Sequence, residues 1–511
     1  MNKILPALIL CIFSTQAFAQ RFAQYYTNTL YDSFENPSQK VFTPDSSRMF
    51  AFNFLFPSLS INAYITGSAQ PLIKQGIFLG KTNNSNLTYG QNSANRLYTV
   101  DNVYIGMFKV YTSLKGDQEI GFSWQTKGEG NARFTDETVG LFNGNSSFNS
   151  TNYKDIANDN YWYQGYHQLS VTYRETLNNQ FSVGLKLSAL SGIVHEDASI
   201  NHSDVTFDKP HNQLDLTLAG HNRTTYDPGT FGAANFIPDF RSPGLSFSLG
   251  VGQHAEGGIN LQYNLKDLGF IRWNANSNVH NFNNTQTVTG VNGNGSSGDL
   301  YKVALKILTD RGIKQSFITP TDGRFEVSAS KNFGLNDDAT FKYIPVLIAS
   351  KQLFYNGLTG VFTNNLQYHN LMIGVTQSID DTGYNLGGQL MIKSPNFEFF
   401  IGSEQLLHDY SVLLDLRKDN TEINRASASI GAGFYMGFSV KFGHDIETHE
   451  NASHISTGDD EGGLIRRLLH GVFSITGSRL LHRLQILSGS KVQSRLRPQT
   501  VLPRISAMRV E

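Results

Sequence analysis

The densest gathering of chemistry-bearing side chains is His195, Glu196, Asp197, His202, Ser203 and Asp204. Imidazoles beside carboxylates can hold a metal, and serine with histidine and aspartate is the material of a nucleophilic triad. The spacing favours neither. The two histidines lack the His-x-x-x-His interval that stacks two ligands on one helix face. No Gly-x-Ser-x-Gly sets a serine on a strained turn, although a triad assembled from distant positions would leave no local signature. A polar outer loop accounts for the same composition.

Two further stretches invite chemistry. The run from Gly290 to Asp299 is glycine-rich, but no Gly-Lys-Ser/Thr follows and no helix start is evident, so a phosphate cradle is not expected. Asp459, Asp460 and Glu461 lack the alternating ligands and glycine of a calcium loop. The only cysteine, Cys11, sits in what reads as a secretory leader. Lys3 supplies its positive end, Ile4–Phe13 its apolar run and Ala17-Phe18-Ala19 its small-x-small cleavage site. Cleavage there gives a mature start at Gln20 with no thiol. The sequence thus points to no catalytic residue, no metal and no cofactor, and to a protein that is not an enzyme.

The elements explain why. Between Ala426 and Phe442 every even position is apolar and the odd ones are small or polar. A period of two over that distance is a strand longer than the usual globular one. Shorter versions recur: Phe50 to Phe56, Ile120 to Trp124, Leu169 to Tyr173, Phe181 to Ala189, Leu245 to Val251 and Ile259 to Leu265. The series continues at Tyr301–Ile307, Phe325–Ala329, Leu371–Val375, Leu386–Ile392, Phe397–Ile401 and Val412–Leu416. Asn178-Asn179 turns one pair into a hairpin. No long helical pattern interrupts them.

Tight turns near Asn178 and Gln253-His254 alternate with polar stretches at 127–160, 195–242 and 274–299. That alternation is the habit of a transmembrane barrel, with short turns at one end and long loops at the other. The expected fold is therefore all-β: an antiparallel outer-membrane β-barrel of about fourteen strands (range fourteen to eighteen) behind a signal peptide. Its domains are the leader at 1–19, the barrel at 20–443 and a periplasmic tail at 444–511. A short amphipathic helix is possible at 464–473 within that tail. A soluble all-β protein is the competing reading.

A net charge of −1 gives no support for nucleic-acid binding. Small inward residues such as Ser182, Lys186, Ser188, Ser427, Ser429 and Lys441 are candidates to face a lumen with few charges. Trp124, Trp162 and Trp273 are candidates for the aromatic girdles at headgroup level.

The segment Tyr31-Asp32-Ser33-Phe34-Glu35-Asn36-Pro37-Ser38-Gln39, with Asp45-Ser46-Ser47-Arg48 after it, resembles the start of an uncharacterised family of Bacteroidota outer-membrane barrels. Leu265 to Trp273 is similar to a segment of that family and of gliding- or secretion-associated barrels, and Lys393-Ser394-Pro395-Asn396 also agrees. More distantly, Asn36-Pro37-Ser38 resembles an Asn-Pro-small element of FadL-type long-chain fatty-acid transporters. The resemblance implies a barrel in contact with outer-membrane lipid, and a passage for weakly polar or apolar solutes. The alternatives are a plugged scaffold partnering a secretion or gliding assembly and, third, an outer-membrane hydrolase.

Overall fold

The computed structural model describes residues 22–79, 87, 89–112, 117–143, 148–225, 237–290, 296–310, 312–355, 357–380, 383–415, 430–446 and 463–467. The leader, Ser427, Ser429 and the acidic cluster 459–461 lie outside these residues. Residues 1–455 form one compact unit and 456–511 a second. In the second, 464–467 form a single helical turn, and the rest of the expected helix at 464–473 is outside the described residues.

The first unit is built on a ring of staves. In chain order they are β1 (Arg48–Phe52 continuing as Ser58–Thr66), β2 (Ala94–Tyr111), β3 (Gln118–Thr135), β4 (Asn160–Thr176) and β5 (Phe181–Asp208). Next come β6 (Pro243–Ala255), β7 (Ile259–Trp273), β8 (Phe317–Pro320 continuing as Arg324–Lys331), β9 (Phe341–Gln352) and β10 (Leu358–Tyr368). The last are β11 (Leu371–Asp380), β12 (Gly383–Ser394), β13 (Phe397–Ser403) and β14 (Ile430–Asp445). Each pairs antiparallel with its neighbours, and β14 pairs with β1. The result is a closed barrel of fourteen strands. Closure leaves no sheet edge, the condition for a strand structure to exist in lipid.

The alternation sorts residues between two environments. On β14 Phe434 and Phe442 are exposed, whereas Tyr435, Ser439 and Lys441 are buried. The same belt of exposed apolar side chains continues through Phe122, Val171, Leu187, Leu249, Ile373 and Leu390. Contiguous apolar exposure on this scale is the outer face of a membrane-spanning barrel rather than of a water-soluble one. The β4–β5 hairpin pairs Val171 with Leu187, and Asn178 Oδ1 accepts the Gln180 and Phe181 N–H groups at 2.8 Å to close its turn.

Two expected strands are helices. Tyr301–Ile307 lies in a helix, Ser296–Thr309, and Val412–Leu416 overlaps another, Leu406–Asp415. In the first, Leu300, Ile307 and Leu308 are buried and Val303 and Ala304 pack with them. These positions follow a helical period, and over so few residues the two periods cannot be told apart from sequence. The polar stretches also hold more structure than expected: β5 runs on to Asp208, and Gln213–Thr224 and Asn278–Thr289 add two strands beyond the barrel.

The lumen is filled by the chain that precedes β1. Phe22, Leu30, Phe34, Val41 and Phe42 are buried inside the ring. A helix, Leu30–Glu35, begins at Thr29, whose hydroxyl accepts the Asp32 N–H at 3.1 Å. It ends at Asn36, where Asn36 Oδ1 accepts the Ser38 N–H and hydroxyl at 3.1 and 2.8 Å and folds the Asn-Pro-Ser turn. This turn presses on the wall. A Cβ placed on Gly184 would meet the Pro37 carbonyl oxygen at 2.0 Å, and one on Gly250 would meet Asn36 Oδ1 at 2.3 Å.

Wall cations and carboxylates then hold the plug. Lys266 Nζ pairs with Glu35, which also accepts Tyr104 Oη at 2.7 Å and Asn102 Nδ2 at 3.1 Å. Lys109 Nζ and Lys186 Nζ each donate to plug carbonyls at 3.3 Å. On the far wall Glu398 accepts the Leu30 N–H at 2.8 Å and Lys441 Nζ at 3.1 Å.

Removing one partner of a buried pair strands the other, at a cost of about 3–5 kcal/mol. Glu35→Ala is therefore expected to release the plug while the ring persists. Gly184→Val should do the same by steric expulsion. Planar-bilayer recordings should show new conductance in both variants and a silent parent. Conductance unchanged in both would refute plug anchoring at these points.

Candidate functional site

Where the barrel opens toward its long loops, the wall grows into a second tier. The upper part of β5 pairs with Gln213–Thr224, which pairs with Asn278–Thr289. On one face of this sheet lie Ala198, Val205, Leu214, Leu216, Leu218 and Phe282, all buried. Their cover is Ser296–Thr309 together with a helix following β3, Asp136–Asn143. Wall side chains cap the last carbonyls of the longer helix: Asn222 Nδ2 and His280 Nδ1 meet the Leu308 carbonyl oxygen at 3.2 and 2.9 Å.

Between sheet and helices is a cavity of about 1110 Å³. Its floor is apolar, with Leu141, Leu216, Leu218, Leu300 and Leu308, and its rim carries Asp159, Glu196, Arg241, Asn274 and Lys314. Glu196 Oε1 accepts Thr224 Oγ1 at 3.1 Å. Burial raises the Glu196 carboxyl above its ordinary value. Asp159 is fixed by Thr135 N–H at 3.1 Å and Thr138 Oγ1 at 2.7 Å, and burial pushes it up to about 6. An apolar floor with a polar rim suits an amphiphile or a weakly polar apolar molecule.

Adjacent residues of β5 serve opposite faces. Glu196 turns to the cavity, while His195 pairs across from Gln164, which donates to Glu129 at 3.2 Å in the lumen. His195 Nε2 lies 3.0 Å from Asp197 Oδ2, and Arg223 Nε donates to Asp197 Oδ1 at 3.0 Å. The imidazole packs on Trp273 and Phe317. Farther out, His202 sits between Asp155 at 2.7 Å and Asp204 at 3.0 Å. Ser203 Oγ donates to Asn158 at 3.0 Å and accepts the Ala157 N–H at 2.9 Å. The six residues of the sequence cluster are thus split among lumen, cavity and outer surface, and Ser203 is engaged with loop backbone and amide.

The other sequence candidates divide similarly. Ser182, Lys186, Ser188 and Lys441 are buried on the inward face; Ser427 and Ser429 are outside the described residues. Trp124 stands on the outward face beside His167. Two assignments need correction. Trp273 is fully buried in the lumen mouth, its Nε1 donating to Thr319 Oγ1 at 2.8 Å. Trp162 lies on the inward-facing alternation of β4 and stacks on Tyr355 with ring centres 4.4 Å apart. Both sit at lumen height, where a ring has a packing partner that sequence cannot reveal.

The lumen also holds more charge than expected. Lys127 and Lys186 (3.0 Å) both pair with Asp267, and Arg324 pairs with Asp322. Lys266 and Asp267 are consecutive, yet both are buried because the β6–β7 register skips between Leu265 and Leu268 and Asp267 has φ +48°. No periodic signal marks such a bulge.

A family model, Family of unknown function (DUF5723), matches residues 42–404. The chain belongs to this family. No curated protein matches it. Among solved structures it is similar to the TodX deltaS2S3 mutant, titled a monoaromatic hydrocarbon channel. The two share 6% identity, cover 84% of this chain and 96% of that one, and give a TM-score of 0.39. The toluene transporter TbuX of Ralstonia pickettii gives 9%, 81%, 94% and 0.36, and a FadL homologue of Pseudomonas aeruginosa 11%, 84%, 96% and 0.36. At these scores the likeness carries no argument; the strand pairing of this member of the family establishes its barrel directly.

His202 offers a pH-dependent contact in the second tier. The hydrogen bonds it donates to Asp155 and then to Asp204 raise its pKa above the ordinary 6.5. A group raised in the folded state adds stability that is complete below about pH 6.5 and is lost as pH rises through the raised value. Asp155 belongs to the strap that lays Ile156 and Ala157 on the cavity core. Amide protection in residues 152–158, corrected for the intrinsic pH dependence of exchange, should therefore fall as pH rises through this window, and His202→Gln should flatten the change. An identical pH profile in the variant would contradict this assignment.

Proposed function

We propose that the protein is a non-enzymatic outer-membrane barrel that takes up weakly polar or apolar solutes from the long-loop side and conducts them past a plugged lumen. The cavity between the second-tier sheet and its two helices carries this reading. It is large enough for a drug-sized molecule, apolar at the floor and polar at the rim. The exposed apolar belt supports residence in a membrane. The export signal read from residues 1–19 supports the outer membrane as that membrane. The low identity to hydrocarbon and toluene transporters is in keeping with the reading but adds nothing to it.

One observation favours a second reading. Residues 22–47 fill the lumen and are tied to opposite walls, as a plugged structural barrel would require. Such a scaffold would engage a secretion or gliding assembly through its loops or basic tail.

Binding separates the two. A fluorescent long-chain fatty acid or an uncharged aromatic probe should bind the refolded protein. Leu216→Glu should weaken this at least about tenfold, because one buried carboxylate in an apolar floor costs more than 1.4 kcal/mol. No binding by the parent, or equal binding by parent and variant, would defeat the capture role and leave the scaffold reading.

A further inference from the structure

One carboxylate stands on the outer side of the wall, against the sorting of the other charges. Along β2, Tyr98, Asn102 and Tyr104 are buried on the lumen side, so Asp101 points outward. Its row across the sheet fixes where it stands. Phe434 of β14 pairs with Ile61 of β1, Ile61 with Asp101, Asp101 with Gly128 of β3, and Gly128 with Gly165 of β4. Cross-strand partners share a face. Phe434 and Ile61 are exposed members of the apolar belt, and Asp101 follows them directly.

Glu35, Asp267 and Glu398 of the lumen are each paired with a lysine. Asp101 has neither a hydrogen bond nor an ion pair among the described residues. Beside it the row is bare of side chains, and Tyr163 of β4 lies across the bare patch. A Cβ on Gly130 would meet the Tyr163 ring at 2.8 Å, and one on Gly165 would meet it at 3.7 Å. A Cβ on Gly128 would lie 2.7 Å from Tyr163 Oη and 3.3 Å from Asp101 Oδ2. The glycine thus leaves a phenol oxygen and a carboxylate facing one small space. The phenol also has no hydrogen-bond partner among the described residues.

Height identifies what meets them. Asp101 is ten residues from Tyr111, the short-turn end of β2. At about 3.3 Å per residue and a tilt of about 40°, that is about 25 Å, the height of a barrel's apolar band. The carboxylate therefore stands at the outer edge of the bilayer, level with headgroups. An unpaired charge in that position calls for a cation from the membrane side. A primary ammonium brings three N–H donors, enough for both Asp101 and Tyr163 Oη. A quaternary ammonium has none, and an anionic headgroup would be repelled.

We propose that Asp101, Tyr163 and Gly128 form an outer-wall site for a lipid whose headgroup carries a primary ammonium. Its acyl chains continue down the apolar belt. The site faces away from the lumen and requires no passage of solute, so it goes beyond the conduit reading and does not depend on it.

The full chain is reconstituted with equal parts of phosphatidylethanolamine, phosphatidylcholine and phosphatidylglycerol, and the lipid it retains is read by native mass spectrometry. The parent should retain phosphatidylethanolamine about fivefold over phosphatidylcholine, and Asp101→Asn should bring the ratio to about one. Tyr163→Phe removes the phenol oxygen and Gly128→Ala fills the space, so each should lower the ratio with the carboxylate intact. These two read the site even where Asp101→Asn fails to fold. A parent without the preference, or variants that all keep it, overturns the proposal. Retention of phosphatidylglycerol that a chelator abolishes also overturns it, because the site would then hold a divalent cation beneath a phosphate.

Discussion

The interior depends on a single irregularity in β7. By skipping one residue, the strand turns Lys266 and Asp267 into the lumen together, an ammonium and a carboxylate from adjacent positions. Lys266 holds Glu35 of the plug, while Asp267 gathers Lys127, Lys186 at 3.0 Å, Gln168 at 2.9 Å and Ser248 at 3.2 Å. A regular strand would send one of the two charges into lipid, and the inward charges paired with it would lose their counterion. Buried charges are tolerated only when paired and hydrogen-bonded, so the lattice is satisfied as a set. The plug follows from it: its backbone carbonyls and Glu35 complete coordination that the wall alone leaves open.

What could be read from the chain follows from where its residues meet a uniform solvent. Lipid makes one demand on every outward position, so Phe434, Val171 and Leu187 recur with period two and the hairpin at Asn178 stands out. The lumen makes a different demand at each height. Trp273 needs Thr319, Trp162 needs Tyr355, and Lys186 needs Asp267. Such pairings join residues distant in sequence and leave no period. The helix at 296–309 was hidden for another reason: Leu300, Val303, Ile307 and Leu308 satisfy a helical face while Tyr301, Val303 and Leu305 imitate alternation. Of the candidate site, the sequence marked Glu196 of the polar rim and missed the apolar floor, which is assembled from three separate segments.

A lumen rich in charge is at first sight a poor neighbour for a cavity with an apolar floor. The sheet resolves the conflict, because the cavity and the lattice lie on opposite faces of the same strand. His195 and Asp197 face the lumen network, whereas Glu196 and Ala198 face the cavity. The charges can thus hold the plug without touching a molecule in the cavity. Fourteen strands close the ring, so its staves present no open sheet edge to lipid. Anchoring and cavity are therefore assigned to opposite faces of one strand.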